Sequence, residues 1–168
     1  MNFAIGDWFQ LGAVASCRYA LLNRTPLLPL EELLCRETMH LYNRVSNPDF
    51  MGPSSSTEDL ASQRCVKISF VQLMRFQHRA RWWLKKFRVR ACYSDIPVAV
   101  PCIICQRDCY VAYIYCNCNV NPICLRHGTQ FNTLDCIPFL FHEFHFCDRA
   151  LQRKRLGAAL VAIIEYSF

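Results

Sequence analysis

The stretch CIICQRDCYVAYIYCNCNVNPICLRHG, residues 102–128, packs six cysteines and one histidine into 27 residues. Cys102 and Cys105 form a C-x-x-C, a spacing at which two thiolates can turn onto one tetrahedral zinc. Cys116 and Cys118 form a C-x-C. This pair serves two metals, or one if the backbone turns. Cys124 and His127 form a C-x-x-H, a second chelating knuckle, and Cys136 follows after eight intervening residues. These seven ligands are enough for one complete site and most of another. Every position is a protein ligand, so the expected zinc, one ion or two, is structural and supplies folding free energy to the segment. The competing readings explain less. Buried reduced cysteines account poorly for three short-range pairs in one window. A redox C-x-x-C concerns Cys102 and Cys105 alone.

The whole chain sets the context. It has 168 residues, of which 53% are apolar and twelve are cysteine. That length suits one domain or two small ones. Twelve cysteines in a secreted chain would point to disulfides. However, MNFAIGDWFQLGAVASC lacks a basic n-region, and Asp7 interrupts its apolar run, so no secretory signal is read. No apolar run approaches the roughly 20 residues that span a bilayer, and no membrane partner is expected. A reducing compartment is the better expectation, where clustered thiols hold metal.

The net charge of +6 is unevenly spread. No acid lies between Asp59 and Asp95, a span carrying nine bases. Among them Arg75, Arg79, Arg81, Lys85 and Lys86 flank Trp82 and Trp83 and are the candidate contacts to nucleic acid. The plainer reading of the same pattern is a solvated helix face with the Trp pair buried.

Periodicity gives the remaining organisation. Residues 1–10 end in a turn-like loop, and LGAVASCRYALLN (11–23) is a helix with its small residues on one side. TPLLPLEELLCRETMHLYNR (25–44) holds a second helix, with Pro29 in its first turn and Glu31 and Glu32 at the positive end of the dipole. SNPDFMGPSSSTED (46–59) is a loop, and residues 60 to 90 return to a helical pattern with Phe70, Leu73, Met74, Leu84 and Phe87 near one face. Cys17, Cys35, Cys65 and Cys92 have no short-range partner and read as apolar fillers. His78 reads as a surface or packing residue.

The ligand spacing resembles the C5HC2 zinc finger of JmjC-domain histone lysine demethylases. There C-x2-C, C-x-C and C-x2-H are followed by a final C-x-C, and Cys109 matches an extra cysteine that is not a ligand. NFAIGDWFQLGAVASCRYALLNR resembles the end of a JmjC domain, while PLLPLEELLCRE and VKISFVQLMRFQHRARWWLKK are similar to plant-type members. The resemblance covers roughly residues 1–136. It implies a mostly α fold with a small irregular zinc-stabilised α+β module, and the remnant of a JmjC double-stranded β-helix at the N-terminus. It divides the chain into 1–23, the end of the JmjC domain; 24–95, a helical linker; 96–136, the finger; and 137–168, a divergent tail.

Two departures qualify the resemblance. The last C-x-C reads Cys136-Ile137-Pro138, so the eighth ligand is missing; His142, His145 and Cys147 are its candidate replacements. JmjC enzymes hold Fe(II) with H-x-D/E and a distant His. None of His40, His78, His127, His142 and His145 has an acid two positions on. Fe(II) and 2-oxoglutarate are therefore family cofactors not expected to bind this chain, and only Asn2 maps near the family's substrate pocket. The expectation is a truncated demethylase relative in the nucleus, catalytically incomplete, with histone and chromatin as partners and a role in transcription regulation. A non-enzymatic chromatin- or DNA-binding module is the alternative. A RING-like ubiquitin ligase is a third, against which the spacing argues.

Overall fold

A computed structural model of the protein describes residues 8–46, 57–85, 90–93, 100–116, 119–127 and 138–142. These form helices α1 (Trp8–Leu21), α2 (Leu30–Ser46) and α3 (Thr57–Lys85) and strands β1 (Arg90–Tyr93), β2 (Val100–Pro101), β3 (Asp108–Cys109), β4 (Ala112–Cys116), β5 (Asn119–Cys124) and β6 (Pro138–His142). The described residues are mostly helical, with two small sheets packed beside the helices. The expected barrel remnant at the extreme N-terminus, with Asn2, lies outside them.

The helix ends follow from local chemistry. α1 begins at Trp8, three residues earlier than the sequence pattern implied, and Trp8 stacks edge-on against Phe9 with centroids 4.9 Å apart. It ends in a Schellman motif: Arg24 N–H donates to Tyr19 C=O, and Asn23 N–H to Ala20 C=O. Asn23 itself takes the left-handed φ of 50° that this cap requires and that Asn tolerates. Of its small residues, Gly12, Ser16 and Ala20 are half-buried on one side while Ala13 and Ala15 are exposed, and a Cβ on Gly12 would come within 2.8 Å of Leu30 Cδ1. α3 starts at Thr57 and ends by Lys85; Arg90, read as helical from the pattern, belongs to β1.

Two interlocking cores hold the layers together. Leu34, Cys35 and Leu41 of α2 and Val66 and Phe70 of α3 enclose Tyr110 and Val111, which come from the cysteine-rich segment. Conversely, Leu84 of α3 is buried among Cys102, Cys105, Cys109, Ala112, Ile114, Ile123, Cys124 and Leu125. Each layer therefore supplies side chains to the other's interior. Cys35 is fully enclosed, as a filler should be, whereas Cys17 is exposed on α1 and fills nothing.

The larger sheet has the order β1-β6-β4-β5. β4 is its centre, antiparallel to β5 and to β6, while β1 and β6 run parallel. Along β4, Ala112 and Ile114 point inward and Tyr113 and Tyr115 are half-exposed, the alternation of a strand with one covered face. A break in register between Ile114 and Cys116 accompanies the tight return into β5. β6 joins this sheet from beyond Cys136, so backbone pairing continues past the expected end of the finger.

Candidate metal centre

The first knuckle is shaped by its backbone. Gln106 N–H donates to Cys102 C=O at 2.8 Å, and Cys102 N–H donates to Arg107 C=O at 2.8 Å, closing a tight turn over Cys102–Cys105. Gln106 adopts a left-handed φ of 57° to complete it. The second knuckle begins at the end of β5 and continues as a single 3-10 turn through His127. Ile103 N–H donates to Pro122 C=O at 3.0 Å and ties the two knuckles together.

The result is one Cys3His cluster. The Sγ atoms of Cys102, Cys105 and Cys124 and a ring nitrogen of His127 all lie within 4.8 Å of one another. Cys105 Sγ is 3.7 Å from Cys124 Sγ, and Cys102 Sγ is 3.7 Å from His127 Nδ1. Cys124 Sγ is 3.2 Å from the same Nδ1. Zn–S bonds near 2.3 Å and Zn–N bonds near 2.1 Å, arranged tetrahedrally, set donor separations of about 3.5–3.8 Å. Three soft sulfurs, one imidazole nitrogen, no carboxylate and this spacing fit a structural zinc, with no position left for water.

Electrostatics favour one thiolate in particular. Hydrogen bonds from Cys109 and then Cys124 hold the Cys102 thiol far below its ordinary value. Its Sγ also accepts the Cys124 backbone N–H at 3.3 Å. The bond to Cys102 pushes Cys124 the other way, up to about 12. Cys109 is buried and raised well above an ordinary thiol, first by its bond to Cys102. It stands outside the four ligands as a neighbouring donor.

Of the seven expected ligands, four come together. Cys116 ends β4, where it pairs with Asn119 and Pro138; its side chain, Cys118 and Cys136 lie outside the described residues, as do His145 and Cys147. His142 is placed by its backbone in β6. His78 is exposed on α3 and far from any ligand role. Of the basic candidates, Arg75 and Arg79 are exposed and Arg81 is half-buried, while Lys85 closes α3 and Lys86 lies outside the described residues.

Two residues of consequence were not singled out for the roles they take. Glu31, at the start of α2, reaches into the finger: its Oε1 accepts the N–H of Val111 at 2.7 Å and of Tyr110 at 3.2 Å. Asp108, in β3, reaches back: its Oδ2 accepts the N–H of Glu31 at 2.7 Å and of Glu32 at 3.1 Å. Nothing in local spacing could signal a pairing across 77 residues.

Comparison with known proteins agrees with this geometry. The C5HC2 zinc finger family model matches residues 102–157, beginning at the first ligand and continuing past Cys136 into the segment 137–168. The chain is 48% identical over 139 residues to Lysine-specific demethylase JMJ706 of Oryza sativa subsp. japonica; the match covers 81% of this chain and 16% of that protein. The chain thus spans about a sixth of that relative's length. It belongs to the plant lysine-specific demethylases of the JmjC type that carry a C5HC2 zinc finger.

Proposed function

We propose that the chain serves as a zinc-braced, non-catalytic chromatin module of a histone lysine demethylase. The observation that carries this reading is the Cys3His cluster, whose donors are all protein atoms and whose framework shares its core with three helices. Such a centre supplies rigidity and leaves no open coordination position for chemistry. None of the five histidines here heads the H-x-D/E with which the family holds its iron.

The surface the module offers is α3. Arg75, His78, Arg79 and Trp82 recur at helical spacing on its exposed face, and Trp82 is 57% exposed. Guanidinium groups on a rigid helix neutralise phosphates, and an exposed indole packs against sugar or base. Duplex DNA of chromatin, in the nucleus, is the anionic partner this face fits, and regulation of transcription is the role that follows.

The test is DNA binding by the zinc-loaded chain across a salt series. Arg75→Glu with Arg79→Glu should weaken binding and flatten the salt dependence by roughly one unit of log–log slope per lost phosphate contact. Unchanged affinity after both reversals would remove the DNA interface. The same preparation, given Fe(II), 2-oxoglutarate and a methylated histone peptide, should release no formaldehyde; turnover would overturn the non-catalytic assignment.

A further inference from the structure

α1 packs on the rest of the protein by one side only, and none of its residues is fully buried. Gly12, Ser16, Tyr19 and Ala20 are half-buried on that side. Leu11, Val14, Leu21 and Leu22 are between 61% and 87% exposed. The Leu22 N–H donates to Arg18 C=O at 3.1 Å, so the helical turn carries through Leu22. At 3.6 residues per turn these four side chains fall within an arc of about 100°, opposite the half-buried residues. A stripe of that width is what a helix ordinarily turns toward a packing partner.

The chain contains an apolar run that the described fold does not employ. Residues 156–164, LGAALVAII, carry no charge and no polar side chain, and they lie outside the described residues. Leu156, Leu160, Ile163 and Ile164 recur at i, i+4, i+7 and i+8, the spacing of one helix face. Nine residues are too few to span a bilayer and too few to hold a helix alone in water. The run therefore needs a surface to fold on. As a helix it would be about 13 Å long, against about 16 Å from Leu11 to Leu22.

The connection is long enough. Residues 143–155 separate the end of β6 from the run, and thirteen residues extend to about 43 Å. A compact chain of this length has a radius of gyration of only about 15 Å. A segment tethered in this way meets the face at an effective concentration in the millimolar range, which no separate partner needs to match.

We propose that residues 156–164 dock as a helix on the exposed face of α1, with Leu156, Leu160, Ile163 and Ile164 against Leu11, Val14, Leu21 and Leu22. The contact uses none of the four Cys3His ligands. It also uses none of Arg75, Arg79 and Trp82, so it stands apart from the DNA-binding reading.

The experiment is hydrogen exchange, read by mass spectrometry, on the zinc-loaded full chain at a dilution where sedimentation shows a monomer. The amides of 158–166 should exchange about tenfold more slowly than in a free peptide of the same sequence. Val14→Gln with Leu21→Gln should abolish that protection. Both positions are exposed and glutamine is a good helix former, so α1 and the zinc content should be kept. Leu160→Gln with Ile163→Gln should abolish it from the other side of the contact. Protection that survives the α1 pair, or none in the monomer, overturns the proposal. Protection that appears only on self-association overturns it in favour of a second copy of the chain. Protection that appears only on adding phospholipid vesicles overturns it in favour of a membrane surface.

Discussion

Glu31 and Asp108 each satisfy backbone N–H groups of the other's element: Asp108 caps the first turn of α2, and Glu31 binds the chain just after β3. The exchange explains an oddity of α2. Pro29 C=O accepts the Leu33 N–H, which puts Pro29 at the N-cap, where it has no side-chain acceptor to offer. The cap is imported from the finger, and the helical layer and the zinc module are joined at a helix end.

Asp108→Ala should therefore cost about 2 kcal/mol, more than a surface aspartate warrants. It removes an N-cap and leaves two partly buried N–H groups unpaired. Asp108→Asn, which retains an acceptor, should cost about 0.5 kcal/mol. Chemical denaturation of the zinc-loaded proteins compares the two. Equal, negligible losses would show that the cap contributes nothing.

The Cys3His set predicts how zinc content responds to substitution. Cys105→Ser, Cys124→Ser and His127→Ala should each lower bound zinc by one ion per chain, measured by metal analysis after gel filtration. Cys109→Ser should leave the zinc count unchanged, because Cys109 lies outside the four ligands. A lost ion in Cys109→Ser would redraw the site.

Part of this arrangement was legible along the chain. The C-x2-C and C-x2-H knuckles are local, so their residue types and spacing announce metal wherever they fold. Which knuckles share an ion was not legible. Cys102 and Cys105 pair with Cys124 and His127 because β4 and β5 form a hairpin that returns the chain past Cys116 to the first knuckle. That is a property of register rather than composition. The inward faces of α1 and α3 followed from periodicity. Glu31 did not, since its charge also suits the helix dipole it was first assigned to. Its actual partners come from residues 110 and 111, which only tertiary packing brings near.

Glu31 also predicts a pH dependence. Desolvation, opposed by the Val111 N–H and reinforced by Asp108, raises its pKa from 4.5 to about 7. Arg126 pulls weakly the other way. Asp108, facing it from β3, is itself raised, chiefly by desolvation. An acid whose folded pKa lies above its unfolded value holds its proton in the fold while the unfolded chain releases it. Its contribution to stability is therefore retained below about pH 4.5 and lost as pH rises toward about 7. Glu31→Gln keeps an acceptor for the two N–H groups and removes the ionisation. Relative to wild type it should gain stability steadily between about pH 4.5 and about pH 7 and level off above that, approaching about 3 kcal/mol over the full titration. Parallel stability curves over that range would refute the assignment.

The shared cores and the imported cap together predict how far the loss of zinc is felt. Chelation releases the turn of Cys102–Cys105, and with it the segment that carries Asp108 to α2. The Glu31 and Glu32 amides should then exchange with solvent about fivefold faster, the effect of losing one cap worth about 1 kcal/mol. Val66 and Phe70, midway along α3, should change less, because α2 still covers them. The comparison is amide exchange of the zinc-loaded and chelated chains, read at these four positions. If Glu31 and Glu32 keep their protection while the knuckle loses its own, α2 holds its first turn without the finger. The hydrogen bonds from Asp108 would then be a consequence of docking rather than a cause of it.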